Sequence, residues 1–283
     1  MSRNAAMPMV VLVVLLVAAT GCLQAPDDIG LETGALTAVP AGAFLPDIVE
    51  EIPQHLSIQN DHRREWLRFS TTHWNVGFGN LQIRGGDQVA PCTLDGVAYA
   101  QCTHAAREVL DASGNVVYAQ PAGVAFFHPE HNHWHQSAVA TFEVRAGSLD
   151  GPVVAGGEKT TFCLIDFDKS DVVQQNSSRV YFECNGDFQG ISPGWGDEYH
   201  HSTELQELEV TGLPAGVYHL THLADPLDHW LESDETNNFT WVRFALSRKG
   251  ANPEVTVLAQ APCQPLDHLG PGYTGVCETG GNK

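Results

Sequence analysis

Ten residues, Phe127 to Gln136, hold four histidines: His128, His131, His133 and His135. The last three stand at i, i+2 and i+4. Successive side chains of a β-strand point to opposite faces, so on an extended chain these three imidazoles project from one side. The flanking runs Val124-Ala125-Phe126-Phe127 and Ala138-Val139-Ala140-Thr141-Phe142 read as strand rather than helix. Three neutral imidazoles on one face, with no cysteine nearby, form a nitrogen-rich site that suits copper, zinc or nickel. A lone histidine would read as a packed or surface side chain; a run this dense reads as a metal site.

The elements that must position these residues are short and numerous. Strand-like segments cover 66–69, 116–119, 126–135, 139–144, 160–166, 217–223 and 240–246. Between them lie turn signals such as Gly85-Gly86, Asp111-Ala112-Ser113-Gly114-Asn115, Gly147-Ser148-Leu149-Asp150-Gly151 and Leu213-Pro214-Ala215-Gly216. The sequence shows no helical period longer than a turn or two, no phosphate-binding glycine loop and no repeat. The expected class is all-β, a β-sandwich with extended loops and little helix.

The N-terminus reads as an export signal. Arg3 is the single charge before the apolar run Met9–Ala19, which is too short to span a bilayer and ends at small residues. Ala19-Thr20-Gly21-Cys22 looks like a bacterial lipobox, which makes residues 1–21 a lipoprotein signal peptide and Cys22 the lipid anchor. The alternative is an ordinary secreted protein cut nearby. Both readings place the chain outside the cytoplasm, the first as a membrane-anchored lipoprotein on the periplasmic or outer cell surface. Residues 22–42, small and punctuated by Pro and Gly, read as a tether, 43–250 as the folded domain, and 251–283 as a stapled C-terminal tail.

Six cysteines remain beyond Cys22, and an oxidising compartment permits disulfides. Proximity suggests Cys92 with Cys102, Cys163 with Cys184 and Cys263 with Cys277, one of about fifteen connectivities open to six cysteines. Lys and Arg number 14 against 34 Asp and Glu. That balance argues against a nucleic-acid partner, whose phosphates it repels, and favours either cationic partners, amines included, or plain solubility.

Further motifs lie downstream: Lys159-Thr160-Thr161-Phe162-Cys163-Leu164, then Gln189-Gly190-Ile191-Ser192-Pro193-Gly194 ahead of Asp197 and Tyr199. With the histidine run, their order resembles the catalytic domain of the lysyl oxidase family. Leu45-Pro46-Asp47-Ile48-Val49, Leu67-Arg68-Phe69, Gly216-Val217-Tyr218 and Glu232-Ser233-Asp234-Glu235-Thr236-Asn237-Asn238 fall in step, so the resemblance covers roughly residues 45–247.

The resemblance implies that His131, His133 and His135 are copper ligands and that Lys159 and Tyr199 become lysine tyrosylquinone, a cofactor built from the chain's own side chains. It implies oxidative deamination of primary amines, peptidyl lysine or small amines, to aldehydes, with dioxygen as acceptor and hydrogen peroxide and ammonia released. The cofactor carries the electronic work while the protein supplies orientation and proton transfer. Asp197, two positions before Tyr199 and on its face if the segment is extended, is the candidate base; His200 and His201 compete with it. His128 would hold a ligand ring in place. Asp47, Glu232, Asp234, Asn237 and Asn238, with the Ile48 carbonyl, resemble the family's structural calcium site, and carboxylate and amide oxygens suit that ion. An Asx-rich turn would use the same residue types.

Glu130, Lys169 and Trp195 stand where animal members carry cysteines, and Phe142 stands where they carry a histidine. The alternative function is a non-catalytic, metal-binding extracellular adhesion or interaction module, for which the stretch 216–246 offers an Asp-Glu-x-Asn-Asn turn between strands. Retention of both Lys159 and Tyr199 discriminates against it. A zinc hydrolase would need an open water position and a partnered Glu, and leaves both residues unexplained.

Overall fold

The computed structural model describes residues 39, 41–170, 177–204, 206–248 and 252–263, with Glu158 and Lys159 described in their backbone alone. The expected signal peptide, Cys22 and most of the tether lie outside the described residues.

Among the described residues there is no helix, and the strands in chain order are β1 (Ala43–Phe44), β2 (Ile48–Glu50), β3 (Gln54–Asp61), β4 (Arg64–Asn75), β5 (Leu81–Gly85), β6 (Ala90–Leu94), β7 (Val97–Asp111), β8 (Val116–His128), β9 (His133–Ala146), β10 (Val153–Phe162), β11 (Asp168–Lys169), β12 (Gln189–Ile191), β13 (Trp195–Tyr199), β14 (Glu207–Glu209), β15 (Gly216–Ala224), β16 (Phe239–Ser247) and β17 (Glu254–Gln260). A large sheet runs β12-β5-β7-β8-β9-β15-β16-β17, with β1 and β6 on β7 and β10 on β9. A smaller sheet is built around β4, which pairs with β2, β3, β13 and β14, while β11 pairs with β13. The expected all-β architecture is what the chain adopts.

Side-chain period explains the layering. In β16, Thr240, Val242, Phe244 and Leu246 alternate inward and are buried, as a strand with one face on the core requires. In β4 everything from Leu67 to Asn75 is buried, the pattern of a strand covered on both faces. The two sheets share one core, and Phe69 of β4 meets Phe142 of β9 with ring centroids 5.1 Å apart. The hairpin joining β7 to β8 is an Asx turn in which Asp111 Oδ1 accepts from the Ser113 and Asn115 amides at 2.8 and 2.9 Å.

Three expectations change. The segment 126–135 is not one strand: β8 ends at His128, β9 begins at His133, and Pro129-Glu130-His131-Asn132 turns between them, with Asn132 in the left-handed region at φ 56°. Pro129 and Asn132 are the residues that make the turn, since Pro presets its own φ and Asn tolerates a positive one. The segment 160–166 leaves the strand after Phe162. The sheet also continues past residue 250, because Glu254–Gln260 pairs with β16 from Val242↔Gln260 to Ser247↔Glu254.

Two disulfides join Cys92 to Cys102 and Cys163 to Cys184, as proximity suggests. Cys263 is also disulfide-bonded, and Cys277 lies outside the described residues. Lys169 and Trp195 are cross-strand partners, with the ammonium 5.7 Å from the indole centroid. That cation–π contact contributes about 0.5–1 kcal/mol.

Candidate metal centre

The β8–β9 hairpin assembles the histidines. His128 and His133 are directly opposed, as are Phe126 and His135, so these four side chains share a face. His131 sits in the turn, and its ring folds over that face. His135 Nε2 stands 3.0 Å from His131 Nδ1 and 3.1 Å from His133 Nε2. A single proton on His135 Nε2 cannot align with both neighbours, whereas a cation between them satisfies all three lone pairs. The donor set therefore fits a metal ion.

The surroundings favour the neutral form of His133 and His135. Burial, reinforced by the neighbouring imidazoles, pushes His135 down to about 2. Burial and the histidine neighbours also lower His133 and His128. A metal ligand must be deprotonated, so this environment leaves the lone pairs available. His128 does not join the trio but stacks on two of its members, 4.3 Å from the His131 ring and 4.8 Å from the His135 ring.

His135 is oriented from behind by Thr161, whose Oγ1 lies 3.0 Å from His135 Nδ1. The pairing of β9 with β10 is irregular here, and Ala138 takes a positive φ of 54°, a bulge that re-aims the start of β9. Two residues beyond Thr161, the Cys163 carbonyl accepts the Tyr199 hydroxyl at 2.6 Å. Phe162 covers the Tyr199 ring, with centroids 4.0 Å apart. Imidazole trio and phenol are thus tied to one three-residue segment. Asp197 and Tyr199 lie two apart on β13, as the extended reading requires. Asp197 is buried with Oδ2 unpartnered, and desolvation raises its carboxyl well above the ordinary range, opposed by the Tyr199 hydroxyl. Burial and the Asp197 charge raise the Tyr199 phenol in turn. Lys159 pairs with Thr141 through its backbone; its side chain lies outside the description.

The oxygen-rich set also comes together. The Ile48 amide donates to Glu232 Oε2, Asn237 Nδ2 donates to Asp47 Oδ1 at 2.8 Å, and Asn238 Nδ2 donates to Glu232 Oε1 at 2.7 Å. Asp234 Oδ1 accepts from the Thr236 amide at 2.9 Å, as in an Asx turn. The side-chain oxygens of Asn237 and Asn238 are buried without a hydrogen-bond partner. Desolvation, with Glu235 and Asp225 close by, raises Glu232 well above its ordinary value.

The lysyl oxidase family model matches residues 115–254 of this chain, the stretch that carries the trio, Lys159, Asp197 and Tyr199. The chain is 34% identical to lysyl oxidase homolog 2 of Homo sapiens over 113 residues, which is 40% of this chain and 14% of that protein. The same identity and coverage hold for lysyl oxidase homolog 3A of Danio rerio, and homolog 2 of Gallus gallus is 35% identical over 114 residues. The chain belongs to the lysyl oxidase family. Its match spans only 14% of the length of these relatives.

Sequence reasoning missed Thr161, although it lies inside a quoted motif. It also missed Glu50, His73 and His222, single residues on three separate strands that only the fold brings together.

Proposed function

We propose that this lysyl oxidase family member is a copper-dependent amine oxidase that converts a primary amine, dioxygen and water to an aldehyde, ammonia and hydrogen peroxide. The observation that carries the reading is the convergence of His131 Nδ1, His133 Nε2 and His135 Nε2 beside the segment that anchors Tyr199. Copper held by that trio would supply one-electron exchange with dioxygen, and Lys159 with Tyr199 would form the lysine tyrosylquinone, which would supply an electrophile for the amine.

The chain's own residues do the rest. Phe162 excludes water from one face of the Tyr199 ring, and the Cys163 carbonyl fixes its hydroxyl. Asp197, desolvated and with its carboxyl raised well above the ordinary value, takes and returns protons beside that ring. The net charge of −20 attracts cationic amines, whether small or carried on peptidyl lysine. Asp47, Glu232, Asp234, Asn237, Asn238 and the Ile48 carbonyl would hold a structural calcium ion between β2 and the turn before β16, where the two unpartnered amide oxygens favour a cation. Export and anchoring at Cys22 complete the proposal.

The test is peroxide and aldehyde release from a panel of primary amines by the copper-loaded, air-exposed protein. Activity lost in Tyr199→Phe and lowered about 10²-fold or more in Asp197→Asn supports the reading. A folded, copper-loaded protein that oxidises no amine favours the non-catalytic module.

A further inference from the structure

We propose that Glu50, His73 and His222 form a second, interior metal site for a divalent first-row transition ion such as zinc. The site would clamp the small sheet to the large one next to Tyr199. The inference stands apart from the chemistry at the histidine trio.

The three residues come from β2, β4 and β15, hence from both sheets. Each side chain is wholly buried. One donor atom from each, two imidazole nitrogens and a carboxylate oxygen, lies within 4.8 Å of the others. Glu50 Oε1 is 2.7 Å from His73 Nδ1, a sound hydrogen bond. Glu50 Oε2 is 2.8 Å from His222 Nε2, so one buried carboxylate reaches both imidazoles.

Charge sharpens the argument. An ionised carboxylate in a dry interior needs a cation, because an uncompensated buried charge costs several kcal/mol. Either a protonated imidazole or a metal ion meets that need, and the convergence of one donor atom from each of the three buried side chains favours the ion. The His222 ring stacks on Phe142 with centroids 4.5 Å apart. A metal ion brings the positive charge without adding a proton. Two imidazoles and a carboxylate are a common ligand set for zinc, with ligand distances of about 2.0–2.2 Å. The His73 ring lies 6.3 Å from that of Tyr199, edge to face, and Asp197 is its cross-strand partner. A cation here would therefore fix the floor under β13.

The test begins with the full chain carrying His131→Ala, His133→Ala, His55→Gln and His200→Gln. These changes disable the trio and a surface cluster of His55, His200 and His201. The protein is loaded with zinc in excess calcium, gel-filtered, and its zinc measured by mass spectrometry and X-ray absorption. The expected result is about one zinc ion per chain with nitrogen and oxygen ligands, and a thermal midpoint that falls on chelation. Adding Glu50→Leu, His73→Leu and His222→Leu should bring zinc to zero and remove the chelator effect. Apolar residues of similar volume commonly replace buried ionic groups without loss of fold; should this variant fail to fold, Glu50→Gln alone makes the comparison. A folded starting variant that holds no zinc, or a Glu50 variant that keeps it, overturns the proposal.

Discussion

Cys163 and Cys184, joined by a disulfide, present two carbonyls that hold the two halves of the site: Cys163 accepts the Tyr199 hydroxyl at 2.6 Å, and Cys184 accepts the Trp134 amide at 3.1 Å. Trp134 stands between His133 and His135, so one cross-link ties the histidine hairpin to the phenol. A covalent tie suits two groups that must keep register although they come from different sheets.

Replacing both cysteines by alanine should lower the unfolding free energy by about 3 kcal/mol, the chain-entropy expectation for a loop of this size. It should also weaken metal binding, because the Thr161–Cys163 segment loses its fixed place. Denaturant unfolding and copper titration of the double variant read both effects.

Thr161→Val keeps the shape of the side chain and removes the hydroxyl beside His135 Nδ1. Metal affinity should fall about 10–100-fold with the fold intact, the usual cost of losing an orienting partner. Competition with a chelator of known affinity measures it. His133→Ala, by contrast, should cost a ligand outright and lower the copper content by about one ion per chain.

Asn132 carries the left-handed turn that folds His131 over the hairpin. Asn132→Val should destabilise the chain by about 1–2 kcal/mol and Asn132→Gly by far less, since only the first bears a branched Cβ there. Thermal unfolding of the pair separates backbone strain from lost contacts.

Arg248 grips Glu65 with both terminal nitrogens, at 2.7 and 2.5 Å, and its Nε donates to the Leu213 carbonyl. Hydrogen bonds from Arg248 hold Glu65 below its ordinary value of 4.5. The folded state therefore gives up that proton more readily than the unfolded one. The stabilisation is complete above about pH 4.5 and is lost as pH falls through the lowered folded value. Arg248→Lys, which cannot form the fork, should cost about 1 kcal/mol at pH 7 and less at pH 3. Unfolding curves at the two pH values test the sign.

Much of this was legible in the sequence. The alternating Thr240, Val242, Phe244 and Leu246 announced a half-buried strand, and the dense histidines announced a ligand set, because both signals are local. The i, i+2, i+4 spacing suggested one extended strand, but Pro129 and Asn132 break it, and the ring of His131 reaches the others from a turn. Long-range juxtapositions were not legible. Glu50, His73 and His222 lie on separate strands, and nothing along the chain marks them as neighbours until β2, β4 and β15 stack. Glu254–Gln260 joins the sheet because its backbone completes the edge of β16, a gain that composition does not register.

On the proposed reading, the trio equips Tyr199 to be fused with Lys159. Peptide mapping by mass spectrometry after copper loading in air addresses it directly. The peptides containing Lys159 and Tyr199 should disappear as separate species and emerge as one cross-linked, oxidised pair, absent without copper and absent in His133→Ala. Two unmodified peptides from fully copper-loaded, folded protein would contradict it.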